Sequence, residues 1–181
     1  MRKGLLTALL IQLLGLLSAQ ELPIPCPEFE VQTEYDSTHR RYHFYEVKTK
    51  IGNADSLGLT AREVFALICS DLNCVAPMSE GMEGPLIPCE EVFVKVGPSL
   101  RNPVVTAVDT LNLRLTNYSL PGHFLHPGKV ERQVVQEDGI IWIITQSEGH
   151  GRMPRTNERK AESTWKKVDD LVIILVGQQG R

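Results

Sequence analysis

The chain has 181 residues, 42% hydrophobic and 23% charged, with 19 Lys plus Arg against 22 Asp plus Glu, a formal net charge of −3. This is ordinary globular composition, which excludes a fibrous or wholly disordered protein. A mildly acidic chain without a basic stripe is a poor nucleic-acid binder, and no apolar run reaches the roughly 20 residues that span a bilayer.

The N-terminus reads MRKGLLTALLIQLLGLLSAQ. Arg2 and Lys3 form a positive n-region, Leu5 to Leu17 an apolar core, and Ser18-Ala19-Gln20 a small-residue exit. Together they predict a secretory signal peptide over residues 1–20. Its removal leaves a single secreted or periplasmic domain, residues 21–181, and takes away two positive charges, so the net charge moves from −3 to −5. Four cysteines remain, Cys26, Cys69, Cys74 and Cys89. An even count behind a signal peptide predicts two disulfides with three alternative connectivities. A Cys74–Cys89 bridge would clip the loop between them, worth roughly 3 kcal/mol in the chain-entropy model. Cys26 would then tie the N-terminal arm to the helix carrying Cys69. The spacing lacks the paired C-x-x-C of a zinc knuckle.

After a Pro-rich arm, Phe29, Val31, Thr33 and Tyr35 alternate with polar neighbours, the period of a strand. Asp36-Ser37-Thr38 is turn chemistry, and the β-rich run Arg41–Ile51 completes an expected hairpin. Thr60 and Glu63 fit a capping box, Leu59 and Val64 a hydrophobic staple. Val64, Leu67, Ile68 and Leu72 then form one apolar stripe, predicting a helix over 61–72. Val75–Pro88 reads as a loop. Val92, Val94 and Val96 alternate in a strand ending at Gly97-Pro98. Residues 104–118 read as one long strand, with Leu111, Leu113 and Leu115 on a common face. Within it, Asn117-Tyr118-Ser119 is an N-glycosylation sequon.

Lys129–Gln136 and Ile140–Gln146 flank Asp138-Gly139, a strong hairpin signal. Ile140 to Ile144 is apolar on both faces, predicting an interior strand covered on both sides. Finally, Ala161, Trp165, Val168, Val172 and Leu175 recur at helical spacing, predicting a long helix over 157–176 that Gly177 ends.

The resulting order, β-β-α-β-β-β-β-α, predicts an α+β domain. An antiparallel sheet of five to six strands carries the C-terminal helix on one face. In topology it resembles the helix-grip (START-like) domains, and that resemblance implies a curved sheet holding the helix over an apolar cavity. Those domains have two helices after the first strand, where this sequence shows a hairpin and one helix.

The 130–146 hairpin also gathers polar groups. Its register sends the segment before Val130 and the segment after Gln146 out of the sheet at the same end. His123 and His126 lie on the first, Glu148 and His150 on the second. Imidazoles with a carboxylate suit a zinc-type divalent ion, whose bound water would serve as a hydrolytic nucleophile. Arg152 and Arg155 follow directly and suit an anionic substrate. The two histidines lack the helical H-E-x-x-H spacing, and no G-x-S-x-G or phosphate-binding loop occurs. Gln133-Val134-Val135 is similar to the Q-V-V of the cystatin inhibitory hairpin, but here it lies within a strand. The expected function is therefore a non-enzymatic binding domain for an unknown protein or a small apolar ligand between sheet and helix. A metal-dependent hydrolase at the hairpin mouth and a protease inhibitor are the alternatives.

Overall fold

The computed structural model describes residues 26–96 and 99–179. The expected signal peptide, the arm up to residue 25 and the Gly97-Pro98 strand end lie outside the described residues. The elements in order are β1 (His43–Asn53), α1 (Ala54–Leu57), α2 (Ala61–Ser70), α3 (Leu72–Val75), β2 (Glu91–Val96), β3 (Ser99–Asp109), β4 (Arg114–Ser119), β5 (Gly128–Glu137), β6 (Ile140–Gly149) and α4 (Pro154–Gln179). The strands form one antiparallel sheet in the order β1-β6-β5-β4-β3-β2. Strands β2 to β6 meander one neighbour at a time, and β6 then pairs with β1, so both hairpin strands are interior. Helix α4 packs over one face of the sheet beside α2 and α3.

Local chemistry explains the best-defined elements. Asp138 and Gly139 both take positive φ, 50° and 76°, the mark of a two-residue type I′ turn whose twist matches the flanking strands. Glu137 accordingly pairs with Ile140, and Val130 with Ser147. Helix α2 begins with the expected capping box: Glu63 N–H donates to Thr60 Oγ1, and Thr60 N–H donates to Glu63 Oε2 at 2.7 Å. In α4 the buried face is Ala161, Trp165, Val168, Asp169, Val172 and Val176. Pro154 sits at its first position, where a missing N–H costs nothing. Gly177 does not end the helix, which continues to Gln179.

Four expectations are corrected. Residues 29–35 form no strand. Phe29 and Val31 instead pack with Cys26, Val105, Tyr118 and Leu120 on the outer face of β3 and β4. Their alternation serves a segment laid across the sheet, not a ladder within it. The 104–118 strand is broken at 110–113, because Asp109 Oδ1 accepts from the backbone N–H of Leu111 and Asn112 and Leu113 takes φ 51°. Leu111 is consequently 82% exposed at the turn. The predicted 61–72 helix ends at Ser70, and separate short helices precede and follow it, restoring the helical crossover between β1 and β2. Strand β6 is covered fully on one face only. Ile141 and Ile143 are buried, whereas Trp142 is half-buried beneath the Lys48 ammonium, 4.7 Å from its ring centroid.

The disulfide pairing is also different. Cys26 bonds Cys89, while Cys69 and Cys74 are free. Cys69 and Cys74 belong to the α2–α3 side of the core, whereas Cys89 lies with Cys26 in the outer-face cluster. Burial pushes both free thiols up to about 11, which keeps them protonated and unreactive near neutral pH. The Cys26–Cys89 bridge spans 63 residues, and a loop of that length is worth about 4 kcal/mol in the chain-entropy model. Thiol titration of denatured, unreduced protein is expected to find two free thiols. The Cys26→Ala/Cys89→Ala variant is expected to lose up to about 4 kcal/mol in urea unfolding.

Candidate functional site

Strand alternation assigns each side chain to the helix side or the outer side of the sheet. At one end of the helix side, Ile51, Ile141, Ile143, Val134 and Leu115 meet α2 and the second half of α4 in a dry core. At the other end the sheet presents His43, Tyr45, Asn117, Ser119, Val130 and Ser147. A layer of paired polar groups separates the two ends.

That layer centres on Arg132 of β5 and Asp169 of α4. Arg132 follows the inward alternation of Val130 and Val134, and Asp169 lies on the same helix face as Trp165 and Val172. Both side chains are 1% exposed, and Arg132 Nη2 donates to Asp169 Oδ1 at 2.8 Å. Thr49 of β1 donates its hydroxyl to Asp169 Oδ2. The Trp165 ring lies 4.9 Å from the Arg132 guanidinium carbon, and Trp165 Nε1 donates to Tyr45 Oη at 2.9 Å. Burial lowers the Arg132 pKa while the Asp169 carboxylate opposes that shift. Arg132 Nε and Nη1 have no protein partner, so Asp169 is the principal compensation for a fully desolvated cation.

Beyond this layer, the sheet and the first half of α4 enclose a cavity of about 690 Å³. Its walls include Val94, Val104, Leu125, Val130, Ala161 and Trp165, with a few polar groups among them. Two of those groups are buried and incompletely satisfied. Asn117 accepts from Thr106 Oγ1 at 2.6 Å while its Nδ2 has no partner, and His43 Nδ1 has none either. Burial lowers the His43 pKa, so the ring is neutral at physiological pH. The sequon asparagine thus faces the interior, 5% exposed. Close backbone approach shapes this end of the sheet: a Cβ on Gly149 would lie 2.6 Å from Gly128 Cα and 2.6 Å from Pro127 O.

The hairpin does bring the two His-bearing loops to one end, as its register requires, but each polar group has its own partner. His123 Nδ1 accepts from Leu125 N–H at 2.9 Å, and His126 Nδ1 bonds the Ser119 carbonyl at 2.9 Å. Glu148 pairs with Lys129 on the outer face at 3.0 Å. His150 Nε2 bonds the Asp36 carbonyl at 2.9 Å and stacks on His39 with centroids 4.3 Å apart. Among the described residues no group of three or more His, Cys, Asp or Glu side chains is placed to hold a metal ion. Arg152 and Arg155 are exposed, and Arg152 lines the cavity mouth. Sequence reasoning missed Arg132, Asp169, Asn117 and His43. Arg132 and Asp169 left a signal, since opposite charges sit on the apolar faces of two amphipathic elements.

No protein-family model and no curated protein matches the chain. Solved structures do match in fold. A START superfamily protein of Mycobacterium smegmatis superposes with a TM-score of 0.55 at 10% identity, covering 76% of this chain and 99% of that one. A Thermus thermophilus protein gives 0.54 at 12% identity, over 76% and 99%. A Thalictrum norcoclaurine synthase mutant gives 0.54 at 11% identity, over 77% and 97%. The fold is the helix-grip arrangement.

Two outcomes follow from this geometry. Asp169→Ala strands the Arg132 charge in the core and is expected to cost about 3–5 kcal/mol in chemical denaturation, whereas Arg132→Met/Asp169→Leu recovers most of that loss. Burial, with a smaller contribution from neighbouring His126, lowers the His123 pKa from 6.5 to about 4. The folded state therefore binds this proton less readily than the unfolded chain. The resulting stability is complete above pH 6.5 and falls with pH by up to about 1.4 kcal/mol per unit between 6.5 and about 4. NMR titration of the imidazoles is expected to show His123 still neutral at pH 5, and His123→Gln to flatten this part of the stability curve.

Proposed function

We propose that this is a secreted or periplasmic binding domain whose cavity takes a small, mainly apolar molecule. The observation that carries this reading is the roughly 690 Å³ space beside Trp165, walled by aliphatic side chains and flanked by two buried polar atoms, Asn117 Nδ2 and His43 Nδ1, that lack hydrogen-bond partners. Ligand pockets of about 300–1,000 Å³ with a few placed polar groups are the usual form of small-molecule sites. A well-packed core would close such a space, because unfilled volume forfeits dispersion contacts. The Cys26–Cys89 disulfide supports an oxidising compartment. The N-terminal sequence supports export to one. A related fold has been captured with a small organic molecule, the norcoclaurine synthase with its transition-state analogue.

The Asn117 amide and His43 ring would select ligands with an acceptor or a hydroxyl along the chain, because leaving them desolvated and unpaired costs about 1–3 kcal/mol each. Nile red, an uncharged apolar dye, is expected to bind saturably with a blue shift in emission. Val130→Trp, which fills the cavity, is expected to weaken that binding about ten-fold or more while leaving the circular dichroism spectrum unchanged. Absence of saturable dye binding by the wild-type protein would overturn the proposal.

A further inference from the structure

We infer that the ligand of this cavity is an anionic amphiphile, seated with its acidic group at the mouth beside Arg152 and Lys160 and its apolar part inside. The inference rests on the cavity being a binding site, and adds the chemical class of the occupant. The charged residues along the cavity are Lys95, Lys129, Arg152, Lys160 and Lys167, with no aspartate or glutamate among them. Strand alternation turns the Lys95 and Lys129 side chains to the outer face, which leaves Arg152, Lys160 and Lys167 as the cations of the helix side. The chain as a whole is acidic, with a net charge of −3. An all-cationic lining is therefore a local segregation of charge and not a reflection of composition.

All three helix-side cations are available. Lys129 is engaged by Glu131 and Glu148, at 3.0 Å each. No ion pair among the described residues holds Arg152, Lys160 or Lys167, and all three are exposed. The N-terminal end of α4 opens on the same mouth, since Thr156 and Asn157 line the cavity and the first turn carries no acidic residue. The helix dipole there adds potential of the same sign. Met153, exposed at φ 56°, stands beside Arg152 as an apolar lip.

The polarity is thus graded. Cations sit at the rim, aliphatic walls and Trp165 lie inside, and uncharged Asn117 and His43 supply the inner polar contacts. A molecule with one ionised carboxylate, sulfate or phosphate monoester and one apolar body matches that order. A neutral apolar ligand leaves the rim cations without a role. Because the rim is exposed to water, the attraction is screened by salt within about a Debye length.

The test is displacement of Nile red from the intact protein by decanoate and by 1-decanol, at a pH near 8 and low ionic strength. The alcohol is the more apolar of the two, so a purely apolar cavity favours it. The expected result is that decanoate displaces the dye at a concentration about ten-fold or more below that of 1-decanol. Salt at about 0.5 M is expected to narrow the gap. Arg152→Glu/Lys160→Glu is expected to weaken decanoate at least ten-fold more than it weakens 1-decanol or the dye. These positions are exposed, so the variant retains the core. Equal or better displacement by 1-decanol overturns the inference while leaving the apolar cavity intact, as does indifference of decanoate to the double variant. Failure of Nile red itself to bind removes the cavity reading and this inference with it.

Discussion

One buried ion pair sets the relation between sheet and helix. Arg132 comes from the middle of β5 and Asp169 from the middle of α4, and each is almost wholly removed from water. Neither charge is tolerable alone, since desolvating an ion costs several kcal/mol that only a well-placed partner returns. The pair also has direction. Thr49 fixes the second carboxylate oxygen, and Trp165 lies over the guanidinium while bonding Tyr45. Sliding or rotating α4 by one residue would separate all of these contacts at once. Apolar packing by Val168, Val172 and Val176 holds the helix down without specifying its register so tightly, because hydrophobic contact is non-directional.

The polar layer also divides the interior by task. On one side, the helical crossover and the second half of α4 seal a dry core that gives stability. On the other, the same sheet and the first half of the same helix stay apart and leave a cavity. The outer face has separate cover. Val105 and Tyr118 would be exposed apolar surface on β3 and β4, and the N-terminal segment lies over them, tied by Cys26–Cys89. Since the bridge and the cavity are on opposite faces, the covalent clamp stabilises the scaffold without obstructing the site.

Much of the fold was legible from local pattern. The Asp-Gly turn and the runs flanking it, the alternation in β2, the capping box of α2 and the stripe along α4 are short-range signals. Each is decided by steric or capping preferences within a few residues. The errors share a cause. Residues 29–35 alternate like a strand because one side covers apolar surface, and periodicity does not say whether a ladder partner exists. The 104–118 run hid its turn, because a leucine at positive φ gives no compositional warning and Asp109 caps the turn from outside it. One helix end was displaced as well, since Gly177 is tolerated within the exposed last turn of α4, which runs to Gln179.

The candidate site was legible only in part. The hairpin register alone brings 119–128 and 149–153 to one end of the sheet. Whether their side chains meet depends on where each imidazole finds its hydrogen bond, and backbone carbonyls of Ser119 and Asp36 claim two of them. The cavity, the unpaired Asn117 amide and the all-cationic rim have no sequence signature, because they arise where β1, β4, β5 and α4 converge from distant parts of the chain. The sequence by itself determined the elements, their amphipathic faces and the α+β order, since those follow from side-chain period and local backbone preference. The tertiary structure alone decided the disulfide pairing, the burial of Arg132 against Asp169 and the space left between sheet and helix. Each of those is a distance between residues far apart in sequence, and only three-dimensional packing sets it.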